Sequence, residues 1–100
     1  MFTIVNRRKM NRDTADQTME RARQEFFPKL QAAQGFTGFY LIADEERGEN
    51  VAVVVFESAE AAQAFLPQGQ EWAQVLEEMG HQNLSDNAGQ TVVNLEGGRS

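Results

Sequence analysis

Two hydrophobic periods alternate along this chain. Phe2 to Asn6 is a short run of β-forming residues that gives way to a polar stretch from Arg7 to Arg12, which predicts a first strand. Thr14 and Gln17 stand at capping-box spacing. Ala15, Met19, Ala22, Phe26, Leu30 and Ala33 then recur every three or four residues, the pattern of an amphipathic helix. Gly35 is placed to stop that helix, because glycine takes the left-handed conformation without a Cβ penalty. Pro28 lies inside it and predicts a kink or break near Phe26 and Phe27, since its ring clashes with the preceding turn and it lacks a donor.

The segment Phe36 to Ala43 is aromatic and apolar, and a polar loop from Asp44 to Asn50 separates it from Val51 to Phe56, the pattern of a β-hairpin. Ser58 can cap a second helix over Ala59 to Leu66, with Glu60 favourably set against its dipole. Pro67 and Gly69 are expected to end it. A third helical piece from about Gln70 to Met79 carries Trp72, Val75, Leu76 and Met79 at helical spacing, and Gly80 stops it. Asn83 to Gly89 reads as a turn, Thr91 to Leu95 as the last strand, and residues 97–100 as a flexible tail of a single domain spanning residues 1–100.

The element order is therefore βαββαβ, an α+β class that usually folds as a ferredoxin-like antiparallel sheet with its helices on one face. The bare face of such a sheet should show polar residues at alternate positions. Val51 to Phe56 contains none, and Phe39 to Ala43 offers only the Tyr40 hydroxyl. Leaving three or four large side chains in water would forfeit roughly 1.5 to 3 kcal/mol each. A second copy packing sheet on sheet is the expected cover, which makes the chain a homodimer.

Composition narrows the chemistry. The 100 residues include no cysteine and one histidine, so thiolate catalysis, sulfur-ligated metals and a His-rich metal site within one chain are excluded. Net charge is -6, divided between +3 in residues 1–35 and -9 in residues 36–100, the wrong total sign for a nucleic-acid partner. No apolar run is long enough to cross a bilayer and the first residues lack the order of a signal peptide, so a cytoplasmic protein without a membrane partner is the expectation. Arg7, Arg8, Lys9 and Arg12 form the one basic cluster, read as a solvated strand end; Asp44, Glu45, Glu46 and Glu49 read as a solvated hairpin tip rather than a metal site. Glu77 and Glu78 point apart on their helix, and Ser58 is explained by capping rather than by nucleophilic attack.

Gly35-Phe36-Thr37-Gly38-Phe39, the hairpin, and the junction Val53-Val54-Val55-Phe56-Glu57-Ser58-Ala59-Glu60-Ala61-Ala62 together resemble the antibiotic biosynthesis monooxygenase family of dimeric α+β barrels. With Asn6-Arg7 on the first strand, the resemblance spans about residues 2 to 95. It implies a homodimer with one pocket per subunit between sheet and helices. In the family's cofactor-independent members an electron-rich phenol itself supplies electrons to oxygen, so no cofactor or metal is expected, and an apolar pocket with a few polar groups suffices. Asn6 is the candidate catalytic group. Arg8, two residues along the same strand face, and Phe26, Phe65 and Trp72, on the helices that cover the sheet, are the candidate substrate-binding residues. The expected ligand is a small apolar or aromatic molecule of quinol type. A non-enzymatic ligand-binding or regulatory module of the same fold is the competing reading.

Haem degradation is the third. Asn6 resembles the asparagine of the family's haem-degrading branch, but that branch's tryptophan and histidine positions fall on Phe65 and near Val75, and neither matches. Trp72 reads as core that can line a pocket, and His81, past Gly80, as a surface residue in a loop.

Overall fold

A computed structural model describes residues 1–97 of the chain. Its strands are β1 (Phe2–Lys9), β2 (Phe36–Asp44), β3 (Glu49–Phe56) and β4 (Gln82–Gln90), and its α-helices are α1 (Ala15–Arg21), α2 (Phe27–Ala32) and α3 (Ala59–Glu78). All pairings are antiparallel and the strand order is β2-β3-β1-β4, the ferredoxin-like α+β arrangement that the element order predicts. Ile4 on β1 and Val54, Phe56 and Phe39 on β3 and β2 pack with Ala22, Phe26, Leu30, Ala62 and Phe65 of the helices in one core.

The first helical region changes its winding where proline was expected to disturb it. Ala22–Phe26 forms a π-helical turn between α1 and α2, and Pro28 sits in the first turn of α2, where its missing N–H costs no helical bond. Gly35 (φ 80°) then turns the chain into β2. The capping box does not form: Thr14 precedes α1, but its hydroxyl donates to the Met79 carbonyl at 2.6 Å and caps nothing in α1. The hydroxyl hydrogen points to a segment 65 residues away, and its oxygen accepts from no N–H of α1.

Three further expectations are corrected. β1 runs on through Arg7, Arg8 and Lys9, because Arg7 finds Glu49 across the ladder at 2.7 Å. Helix α3 is continuous through Pro67 and Gly69. Phe65 and Trp72 are seven residues apart and therefore share a face, and burying two aromatics at roughly 1.5 to 3 kcal/mol each offsets the roughly 3 kcal/mol cost of an internal proline. Gln63 and Pro67 are exposed, so water can reach the carbonyl that loses its partner.

The last strand is not Thr91 to Leu95 but the polar segment Gln82–Gln90. Gly80 (φ 89°) turns the chain directly from α3 onto β1, and Gln90 already stands opposite Phe2. Beyond that point β1 has no residues left to pair. Thr91 makes the final ties, its N–H donating to the Met1 carbonyl at 2.8 Å and its hydroxyl meeting Thr3 Oγ1 at 2.6 Å, while Val92 is 92% exposed. Of the expected flexible tail, residues 98–100 lie outside the described residues.

Candidate functional site

Register places the candidate polar residues on the helix-facing side of the sheet. Four rows cross it: Phe56, Phe2 and Gln90; Phe39, Val54, Ile4 and Ala88; Leu41, Ala52, Asn6 and Asp86; and Ala43, Asn50, Arg8 and Asn83. The side chains change from apolar to polar along this series. The helices bury Phe56 and Val54 of the first two rows and leave Leu41 of the third exposed. Asn6 and Arg8 therefore stand where the aromatic core gives way to polar surroundings.

Asn6 is not free. Its Nδ2 donates to Asp86 Oδ1 at 2.6 Å, and Asn83 Nδ2 donates to Asp86 Oδ2 at 3.0 Å, so a carboxylate on the edge strand orients both amides. Arg8 lies one row further on. Its Nη1 is buried without a hydrogen-bond partner, and Arg8 makes no ion pair among the described residues, although six other cations do. A partnerless guanidinium nitrogen removed from water is costly and rare in a folded chain.

The aromatic candidates form a packed cluster. Phe26 stacks on Trp72 with ring centroids 5.2 Å apart and planes 7° from parallel, and it meets Phe65 at 6.1 Å and Phe39 at 6.3 Å. Phe26 and Phe65 are buried and Trp72 is half-buried. Phe26, Phe65 and Trp72 are thus brought together as a wall whose rings face one another, and Asn6 and Arg8 lie on the sheet floor. Two cavities lie elsewhere, and neither is lined by Asn6, Arg8, Phe26, Phe65 or Trp72. One of about 350 Å³ is lined by Phe27, Leu30, Gln31, Phe36, Gly38 and Phe39, and one of about 380 Å³ by Glu77, Gly80, His81, Gln82 and Asn83.

His81 is the residue the sequence places worst. It is 4% exposed, not on the surface. Asn11 N–H donates to its Nδ1 at 3.0 Å, which leaves Nε2 to carry the hydrogen and donate to Thr18 Oγ1 at 2.7 Å; the Thr18 hydroxyl in turn donates to the Thr14 carbonyl at 2.8 Å. Burial, and then the Arg8 positive charge, push its pKa below the usual histidine value. A neutral imidazole with both nitrogens engaged ties β4 to α1. Asn11 and Thr18 carry no sequence signal for this role, because the contact joins segments more than 60 residues apart.

The other charged groups of the two clusters form ion pairs. Arg12 meets Glu45 at 3.1 Å, Arg47 meets Asp44 at 3.8 Å, and Arg7 meets Glu49, all partly or largely exposed. Arg7 and Arg12 thereby tie the amino-terminal cations to the hairpin acids, and Arg47 pairs within the hairpin itself. Among the described residues no group of three or more His, Cys, Asp or Glu is arranged to hold a metal, and no helix is long and apolar enough to cross a membrane.

No family model and no curated protein matches the sequence. Solved structures do match. A Deinococcus radiodurans protein assigned by name to the antibiotic biosynthesis monooxygenases superimposes with a TM-score of 0.78 over 97% of this chain and 100% of that one, at 13% identity. HapK from Hahella chejuensis matches with a TM-score of 0.75 over 98% and 100% of the two chains, at 16% identity. A variant of SnoaB, a cofactor-independent oxygenase from Streptomyces nogalater, matches with a TM-score of 0.72 over 94% and 95%, at 19% identity. Across nearly its whole length, this chain has the α+β fold of the antibiotic biosynthesis monooxygenases.

Proposed function

We propose that this single-domain chain acts as a homodimeric, cofactor-independent monooxygenase on a small aromatic substrate of quinol type, bound between sheet and helices. The observation that carries the reading is the fold shared with an oxygenase that needs no cofactor. In such a reaction the phenol supplies the electrons: one oxygen atom of O₂ enters the ring, the other leaves as water, and the ring emerges as a quinone. The protein's tasks are to exclude water, hold the ring and pair its oxygens. Phe26, Phe65 and Trp72 supply the aromatic wall. Asn6, oriented by Asp86, and Arg8 are the groups for substrate oxygens, which would cost about 1 to 3 kcal/mol each if buried unpaired.

The dimer rests on the other face. Val5, Val51, Val53, Val55, Tyr40 and Ile42 project from the side that no helix covers, and Tyr40 is 65% exposed. A second copy would remove this apolar patch from water.

Oxygen uptake tests the activity. An electron-rich hydroquinone should consume O₂ faster with protein than without, with no metal or flavin added, and Asn6→Ala should slow it. Uptake at background across a phenol and quinone panel, with Trp72 fluorescence still responding, would favour a ligand-binding module without turnover. With both ring nitrogens of His81 engaged inside the subunit, haemin should give no sharp stoichiometric Soret shift that His81→Ala abolishes.

A further inference from the structure

Two irregularities of the backbone aim aromatic rings into one cleft. In a regular strand Phe36 and Phe39 would point to opposite faces, because side chains alternate. The bulge between Phe36 and Gly38 adds one residue to β2, and both rings then stand on the helix-facing side, opposite Phe56 and Val54. The π-helical turn does the same for the other wall. Thr18, Ala22, Phe26 and Leu30 are buried at every fourth position, a spacing that would drift around a helix of about 3.6 residues per turn and that the wider winding of Ala22–Phe26 keeps in line. Phe26 thus stays in the core, and Phe27 falls beside it, half-buried, with its ring 5.5 Å from that of Phe39. Phe27, Phe36 and Phe39, with the buried Leu30, the exposed Gln31 and Gly38, line the cavity of about 350 Å³ between α2 and β2.

The structure assigns to this cleft a binding site for a small uncharged aromatic molecule that carries a hydroxyl or a carbonyl. Its volume falls at the lower end of small-molecule sites, roughly 300 to 1,000 Å³, which suits a bicyclic ring. Three phenylalanines supply faces and edges against which a flat ring can lie. None of the lining residues is charged, so an ionised ligand would leave water without a counter-charge. Gln31 is the one lining side chain that can pair a ligand oxygen, and its amide can accept from a hydroxyl or donate to a carbonyl. Asn6 and Arg8 stand on β1, two strands from β2, so this site is separate from the pocket proposed above and does not depend on turnover.

Nuclear magnetic resonance titration of the full chain with a naphthol and with naphthalene, under nitrogen, tests it. The Leu30 methyl resonances should shift and show Overhauser contacts to the ring. The naphthol should bind about threefold to tenfold more tightly than naphthalene, the range of one net hydrogen bond. Gln31→Leu, a change at an exposed position, should bring the two to equal affinity with the fold kept. Contacts to the methyls of Leu41 and Ala52 beside Asn6, in place of Leu30, would overturn the assignment to this cleft, and so would the absence of saturable binding by either compound. A preference for the naphthol that survives Gln31→Leu overturns the pairing with Gln31. A naphthoate that binds as tightly as the naphthol overturns the uncharged class. No oxygenation can occur under nitrogen, so failure of the oxygenase reading produces none of these results.

Discussion

Both faces of β3 are apolar from Val51 onward and have different fates. Val54 and Phe56 are buried beneath the helices; Val51, Val53 and Val55, interleaved with them, point to the face that no helix reaches. Composition does not distinguish the faces. The helical layer does, because the single crossover direction of a ferredoxin-like order lays the helices on one side. The covered face then has two zones. Its aromatic end is closed by Phe26, Phe65 and Trp72, and at its polar end Asn6 is bonded to Asp86 while Arg8 Nη1 has no hydrogen-bond partner. One face leaves apolar side chains without helical cover, and the other ends in polar side chains beyond the reach of the helices.

Aspartate at adjacent positions of β3 separates the faces most sharply. Val54→Asp places a carboxylate at a position 9% exposed with no partner, a cost of about 4 kcal/mol or more against a total of about 5 to 15 kcal/mol for a domain. Circular dichroism should show a melting temperature lowered by roughly 15 to 30 °C. A cooperative melt near that of the parent would show that the core tolerates charge there and would remove the distinction between the faces.

Val53→Asp is the mirror experiment, with a smaller effect on the subunit. The charge lands on the uncovered face, where water reaches it in a lone subunit and a second sheet would bury it. Light scattering should report one chain instead of two, with the helical signal kept. A dimer that survives the substitution at micromolar concentration would place the subunit interface elsewhere.

Acid probes the covered face without mutation. The folded state holds His81 below its ordinary pKa, so the unfolded chain binds more protons as pH drops past about 6.5. The stabilisation that neutral His81 provides is present above that value and declines as pH falls toward the folded pKa. The denaturation midpoint should therefore decrease between about pH 7 and pH 5, and His81→Gln should flatten the decrease. An equal slope in both proteins would assign the acid sensitivity to carboxylates.

The sequence conveys local structure well and long-range pairing poorly. The hairpin, the Ser58 start of α3 and the Gly35 and Gly80 turns are legible because each depends on neighbouring residues. The misplacement of β4 has the opposite cause. Thr91 to Leu95 has the composition of a strand, but β1 begins at Phe2 and its ladder is used up at Gln90, a limit set by a segment some 90 residues away. Pro67 misleads for the same reason, since the stacking of Trp72 on Phe26 keeps α3 whole. Among the site residues, the shared face of Asn6 and Arg8 follows from strand alternation. Asp86, Asn83 and the burial of His81 do not, because they arrive with the strand that composition assigns to a turn.

The smallest expected effect tests whether the covered face depends on where α3 begins. Ser58 Oγ accepts from the Ala61 N–H at 3.1 Å, satisfying one of the free donors at the start of the helix that carries Phe65 and Trp72 over the sheet. Ser58→Ala removes this acceptor and leaves every side chain of the uncovered face in place. Stability should fall by about 1 kcal/mol, and the melting temperature by about 4 to 8 °C for a domain of this size. Light scattering should show the assembly unchanged, because the cap acts on one face alone. A dimer weakened by Ser58→Ala would mean that the position of α3 is transmitted through the sheet, and the two faces would have to be treated as one coupled unit.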